Sequence, residues 1–182
     1  MRLNIGAGTD LREGFVNHDI VDLPGIDVVW DLNMLPWPWE TASADEVVLK
    51  DVLEHLREFM PAMEELHRIL KPGGKAFVKV PYWNSWARHA DPTHRRGFHE
   101  LTFHFFDPSS PYCKDRHYYT KARFRIARET FVLAPLSPYF RIPLVKEIRI
   151  SRPLLKRFFG LIGNTFCNLI LDLELELIKL TD

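Results

Sequence analysis

Short apolar runs separated by turn residues dominate the first eighty positions. Runs at Arg2 to Gly6, Phe15 to Ile20, Asp27 to Leu32, Glu46 to Lys50 and Lys75 to Val80 are each about the length of a strand. Several are almost continuously apolar, the pattern of parallel strands buried on both faces. Between Asp51 and Leu70 the spacing changes. Apolar residues recur there at Val52, Leu53, Leu56, Phe59, Met60, Met63, Leu66, Ile69 and Leu70, which predicts a helix of roughly twenty residues. Lys71-Pro72-Gly73-Gly74 ends it and returns the chain to a strand. Strand, helix and strand make a βαβ unit, so the chain reads as an α/β protein.

Beyond Pro81 the pattern alters in kind. From Pro81 to Pro111 aromatic residues (Tyr82, Trp83, Trp86, Phe98, Phe103, Phe105, Phe106) alternate with His89, Asp91, His94, Arg95, Arg96, His99 and His104. The stretch is too polar for continuous core and too aromatic for a solvated linker, so residues 81–121 are expected to form a lid or wall of a substrate pocket. Ala122 to Leu133 reads as a strand, Val145 to Ile150 as a strand or helix start, and Pro153 to Ile170 as a helix. Leu173 to Leu180 alternates apolar and charged residues as a half-buried strand does. Leu154 to Leu171 is apolar but interrupted by Lys156, Arg157, Asn164 and Asn168, and is expected to be a buried amphipathic helix; contact with lipid or a second subunit is the alternative.

Composition narrows the function classes. At 182 residues, 46% hydrophobic, the chain supports one core, hence a single domain over 1–182. Twenty-four Lys and Arg against 24 Asp and Glu leave no net field, which argues against a general nucleic-acid binder and for a small-molecule or otherwise specific partner. Two cysteines without a CxxC pair fit a reducing compartment, and neither a targeting segment nor a run long enough to span a membrane is visible; the expected setting is the cytoplasm.

The chemistry concentrates at the start. Leu3-Asn4-Ile5-Gly6-Ala7-Gly8 delivers an apolar run into Gly-x-Gly, where glycine permits φ > 0 and close approach of backbone to a ligand, and Asp19 ends the next run. With Val16-Asn17-His18-Asp19-Ile20, Ser43-Ala44-Asp45-Glu46-Val47 leading to Val52-Leu53-Glu54-His55-Leu56, and Glu65-Leu66-His67-Arg68-Ile69-Leu70-Lys71-Pro72-Gly73-Gly74, this opening resembles the small class I S-adenosylmethionine-dependent methyltransferases of the type 11 group. The resemblance implies a Rossmann-like sheet, mostly parallel with an antiparallel C-terminal strand, and methyl transfer from S-adenosylmethionine to an unidentified acceptor. By it, Gly6, Ala7 and Gly8 pass under the donor's methionine part, Asp19 and Ile20 meet the ribose, Asp31 and Leu32 meet the adenine, and Asp51, Val52 and His55 line the methionine end. Asn4 stands where the family carries an acidic residue. It can hydrogen-bond but adds no charge.

Only ten residues separate Gly8 from Asp19 and six separate Ile20 from Asp27, too few for the helices that usually cover this half of the sheet. An apolar sheet face left bare in this way calls for the aromatic segment, the C-terminal helix or a second copy of the chain to cover it. Methyl transfer is an in-line displacement needing a base only when the acceptor arrives protonated. His94, with His89 and Asp91, is the candidate for base or acceptor-positioning residue; the aromatic lid suggests an apolar or planar acceptor, whereas Arg88, Arg95 and Arg96 suit a carboxylate or phosphate on it. Without a helical HxxxH or a cysteine pair, no metal site is expected. Two other readings share the opening motif. One is a catalytically silent binding or scaffold protein; the other is a nicotinamide-dependent oxidoreductase, disfavoured because its third fingerprint glycine would fall at Leu11.

Overall fold

A computed structural model describes residues 1–133 and 147–181. Eight strands form one sheet: β1 (Arg2–Ile5), β2 (Val16–Asp19), β3 (Val28–Val29), β4 (Ala44–Lys50), β5 (Leu70–Pro81), β6 (Phe124–Leu133), β7 (Ile148–Ile150) and β8 (Ile170–Lys179). Their spatial order is β3-β2-β1-β4-β5-β8-β6-β7. The pairs from β3 through β5 are parallel, whereas β8 inserts antiparallel to both β5 and β6. This is the expected Rossmann-like arrangement, with β7 as an additional short antiparallel edge. Of the stretch read at 145–150, Ile148–Ile150 is strand; residues 145 and 146 lie outside the described residues.

The long helix between β4 and β5 is shorter than its apolar spacing predicts. α1 runs only from Phe59 to Ile69, and residues 51–58 are turns. Pro61 explains the difference. A proline ring clashes with the carbonyl four residues earlier and offers no N–H, so it is accepted in a helix's first turn and not in its middle. Val52, Leu53 and Leu56 are still buried, but by a folded turn.

Alternation along the strands gives the sheet two unlike faces. Leu3, Ile5, Val47, Leu49, Ala76, Val78, Leu173, Leu175 and Leu177 join Phe59, Ala62, Met63, Leu66 and Ile69 of α1 in one core. On the opposite face Glu46 lies beside Lys75, Val48 beside Phe77 beside Glu176, and Lys50 beside Lys79 beside Glu174. The second face was expected to be apolar and to need a cover; on β4, β5 and β8 it is largely charged instead. The residues that point away from α1 are largely charged, and cross-strand pairs such as Lys75–Glu176 suit an aqueous boundary.

The phenylalanines of the aromatic stretch supply core, whereas Trp83 is exposed. Phe98, Phe103 and Phe106 are buried and meet Phe59 at ring separations of 5.2, 5.7 and 5.8 Å. Phe98 forms an isolated bridge with Tyr82, after the short α2 (Trp86–Ala90), and Phe103 and Phe106 lie on a 3₁₀ turn (Glu100–Phe106) that leads to α3 (Pro111–Asp115). The C-terminal helix also departs from expectation. α4 (Pro153–Thr165) buries only Gly160 and Gly163, and leaves Leu154, Phe158 and Leu161 exposed.

The two faces make opposite predictions. Leu66→Ala, which empties the packed side, should lower unfolding stability by about 2–5 kcal/mol. Lys75→Ala on the other side should stay within about 0.5 kcal/mol of the parent, both read by denaturant titration.

Candidate active site

β1 and β2 hold the glycine loop between them. Gly6 and Gly8 adopt φ of 69° and 49°, and a Cβ on Gly6 would lie 2.4 Å from a methyl of Val52, so only glycine fits there. A Cβ on Gly8 would meet nothing within 4 Å, which leaves open space above that part of the loop. No helix follows; the chain goes directly to β2. The loop N–H groups are instead consumed by β2. Ala7 donates to the carbonyl of His18 (2.8 Å), Gly8 to Asp19 Oδ2 (2.8 Å) and Gly6 to His18 Nδ1 (3.4 Å).

His18 fixes its own tautomer in this arrangement. Its Nε2 faces the carbonyl of Trp30 at 2.9 Å, which can only accept, so Nε2 carries the hydrogen and Nδ1 is left to receive Gly6. Burial holds its pKa below the ordinary 6.5, against the opposing pull of the Trp30 carbonyl and Asp19.

Asn4 lies behind the loop. Its amide donates to the Asp10 carbonyl (2.7 Å) and to Asn17 Oδ1 (3.0 Å), so it ties the loop to β2. Asp19 also accepts from Val21 at 3.1 Å through Oδ1. Each of its oxygens thus bears one backbone N–H and keeps a second lone pair for a hydroxyl donor. Ile20 beside it is exposed. Asp31 caps its own turn by accepting both the backbone and side-chain N–H of Asn33, which holds its pKa down, while Leu32 is buried in the core. Asp51, with φ 55°, ends β4 abruptly and pairs with Lys79; Asp172 shares that lysine at 3.1 Å. Burial opposes the charge on Lys79, but the two carboxylates outweigh it and raise its pKa.

A second polar centre forms where the turn 52–57 meets residues 91–96. Arg95 N–H donates to the carbonyl of Glu54 (2.8 Å), and the Arg96 guanidinium donates to the carbonyls of Leu56 and Arg57. This stitching brings His55 and His94 together, ring centroids 4.7 Å apart. Thr93 Oγ1 lies 3.0 Å from His55 Nδ1 and donates to Asp91. Beneath them sits Glu54, whose side chain is 0% exposed and whose two carboxyl oxygens have no hydrogen-bond partner. Burial raises its pKa to about 8, and neighbouring Asp51 adds to the effect. An orphaned buried polar atom costs about 1–3 kcal/mol, so this carboxyl is a feature to be explained. His94 Nε2 is 3.9 Å from both Glu54 and Asp91, and its Nδ1 is buried without a partner.

The three residues proposed for catalysis thus separate. Asp91 and His94 share the cluster, whereas His89 is exposed on a different cleft of about 500 Å³ with Trp83, Trp86 and Cys167. Glu54 was missed as a candidate, although a carboxylate between Leu53 and His55 in an apolar run was a visible signal. A wide cleft of about 990 Å³ between the 3₁₀ turn, β6 and α4 touches none of these groups.

A methyl donor fits the loop better than a dinucleotide does. A pyrophosphate needs unspent N–H groups at a helix N-terminus, and here the N–H groups are spent and the helix is missing. A donor without phosphate needs room above a glycine and an acceptor for its diol; the loop has open space above Gly8 and Asp19 oxygens that each carry a single N–H donor.

Residues 6–78 match the family described as "Methyltransferase domain". No curated protein matches the chain. Among solved structures, a methyltransferase described as dependent on S-adenosylmethionine and a possible histamine N-methyltransferase, from Thermotoga maritima, is 13% identical with TM-score 0.60, covering 98% of this chain and 81% of that one. A second such methyltransferase, from Archaeoglobus fulgidus, is 15% identical with TM-score 0.58, covering 98% and 85%. The [4+2]-cyclase SpnF is 14% identical with TM-score 0.56, covering 100% and 75%. These likenesses establish the fold.

Acid should loosen the loop. Below pH 6.5 the unfolded chain takes up a proton on His18 that the folded chain refuses, so folding stability falls as pH drops toward the lowered folded value. His18→Gln should flatten this acid limb in thermal melts; an unchanged limb would remove His18 from the account.

Proposed function

Residues 6–78 match the model of a methyltransferase domain, and we propose that the chain uses S-adenosylmethionine to methylate a small-molecule acceptor whose reacting atom lies at the Glu54–His55–His94 cluster. The reading rests chiefly on one observation. Val52 bridges the two centres, touching Gly6 of the donor loop and standing two residues before Glu54.

In this reading Gly6, Ala7 and Gly8 carry the methionine part of the donor, and Asp19 receives the ribose hydroxyls on its remaining lone pairs. Asp31 Oδ2 and the backbone at Leu32 face the adenine end, since Asp31 Oδ1 is committed to Asn33. Asn4 supports the loop from behind. S-adenosylmethionine supplies an electrophilic methyl on sulfur when bound. The protein's contribution is alignment, because in-line displacement gains most from holding donor and acceptor in near-attack geometry. His94, held over the buried Glu54, positions or deprotonates the acceptor; Asp91 and Thr93 orient His55. The absence of net charge favours a small acceptor over nucleic acid, and two unpaired cysteines, Cys113 and Cys167, fit a cytoplasmic setting. Among the described residues no helix is long and apolar enough to cross a membrane.

Calorimetric titration separates the competing readings. S-adenosylhomocysteine should bind and NAD should not; failure of both would favour a silent scaffold. Asp19→Ala should weaken S-adenosylhomocysteine by about tenfold or more without unfolding the protein, the loss expected when hydroxyls lose a charged acceptor. Transfer of labelled methyl from S-adenosylmethionine should then be found on small molecules of a cell extract. Label confined to macromolecules would overturn the acceptor class.

A further inference from the structure

We propose that Glu54, His55 and His94 form a binding site for a divalent transition-metal ion of the zinc type. This inference rests on the reading of the same cluster as the acceptor end of the site. Each of the three residues offers one ligand atom, and these atoms all lie within 4.8 Å of one another. Ligands bonded at about 2.0–2.2 Å in a tetrahedral shell stand roughly 3.5 Å apart, so the cluster would contract by about 1 Å around an ion.

The independent pointer is Glu54. Its carboxyl is sealed from solvent, has no hydrogen-bond donor on either oxygen, and aims Oε1 toward His94 Nε2 at 3.9 Å. Burial of this kind is disfavoured for a carboxylate unless a cation is beside it, and the nearest side chains of the cluster are imidazoles that can serve as neutral ligands. Lys79, the ammonium on the adjoining strand, is already committed to Asp51 and Asp172. Two imidazoles and one carboxylate are the donor set of zinc and related ions and a poor one for calcium or magnesium, which take oxygen.

The surroundings are built to hold these ligands. Thr93 sits between His55 and Asp91, so the ring of His55 has an outer partner of the sort that orients metal-bound histidines. The backbone bond from Arg95 to Glu54 keeps the two segments in register. Three protein ligands leave a coordination position for a further group, which marks a catalytic rather than a closed structural site. A hydroxyl or thiol of the acceptor in that position would give up its proton to solvent at lower pH, then take the methyl from sulfur, leaving S-adenosylhomocysteine. In that case His94 positions the acceptor through the ion.

Titration of chelator-stripped protein with Co²⁺, read by visible absorption and equilibrium dialysis, tests the site. One ion per chain should bind, with bands of a low-symmetry nitrogen–oxygen shell, and Zn²⁺ should displace it. Glu54→Gln and His94→Asn should each weaken Co²⁺ by roughly 10-fold or more, since even outer partners of ligands contribute that much. Thermal melts and S-adenosylhomocysteine binding confirm that each variant is folded, and His94→Asn carries the test if Glu54→Gln is not. Absence of the bands, or equal affinity in a folded variant, overturns the site. Loss of S-adenosylhomocysteine binding by the parent with Co²⁺ binding intact would instead strike the donor assignment and leave the ion in place.

Discussion

The structure depends on how the glycine loop is held without a helix behind it. In a doubly wound sheet the loop after the first strand is normally braced by the helix that follows, whose N-terminus also satisfies the backbone. Here seven residues of turn join Gly8 to Val16, and β2 takes over the bracing. Three consecutive loop N–H groups end on His18 and Asp19, while Asn4 fastens the far side through Asp10 and Asn17. Asp19 therefore has two tasks on one carboxylate. It closes the loop with one lone pair and keeps another toward the open side.

Economy at the loop is matched across the sheet. Helices on a sheet's second face are needed only where that face is apolar. Glu46, Lys50, Lys75, Lys79, Glu174 and Glu176 make it polar on β4, β5 and β8, so the short connections of the N-terminal half leave little to hide. The one-sided core is anchored by α1 and by the phenylalanines that surround Phe59. The stitched contact between residues 52–57 and 91–96 adjoins this core, since Arg96 lies over the Phe59 ring.

Strand positions and the geometry of the glycine loop were legible in the sequence because both are local. Gly6 and Gly8 announce a backbone that other residues resist, and Asp19 follows at the end of the next strand. The turn from 51 to 58 was not legible by the same means. Its apolar residues keep helical spacing, yet Pro61 forbids a helix from running through, and the side chains bury themselves from a turn instead. Glu54 illustrates the consequence. On a helix with Val52, Leu53 and Leu56 inward it would have been assigned to the solvent side; on a turn it points into the protein. The aromatic stretch misled in the other direction, since periodicity cannot say whether a phenylalanine faces a ligand or Phe59.

That asymmetry has a chemical reason. Recognition of a constant donor can be written into one strand and its turn, because the groups to be met do not change. The Glu54–His55–His94 cluster, proposed as the acceptor end, is assembled from two segments about forty residues apart, and neither has meaning without the other. Glu54 is costly when considered alone, as is His94 with its unpartnered Nδ1. Only their juxtaposition, secured by backbone bonds from 95 to 54 and by Arg96, turns two liabilities into a polar centre beside the donor loop. A fold that tolerates an orphaned carboxyl there accepts local instability of the kind that marks functional sites off from the cores that support them.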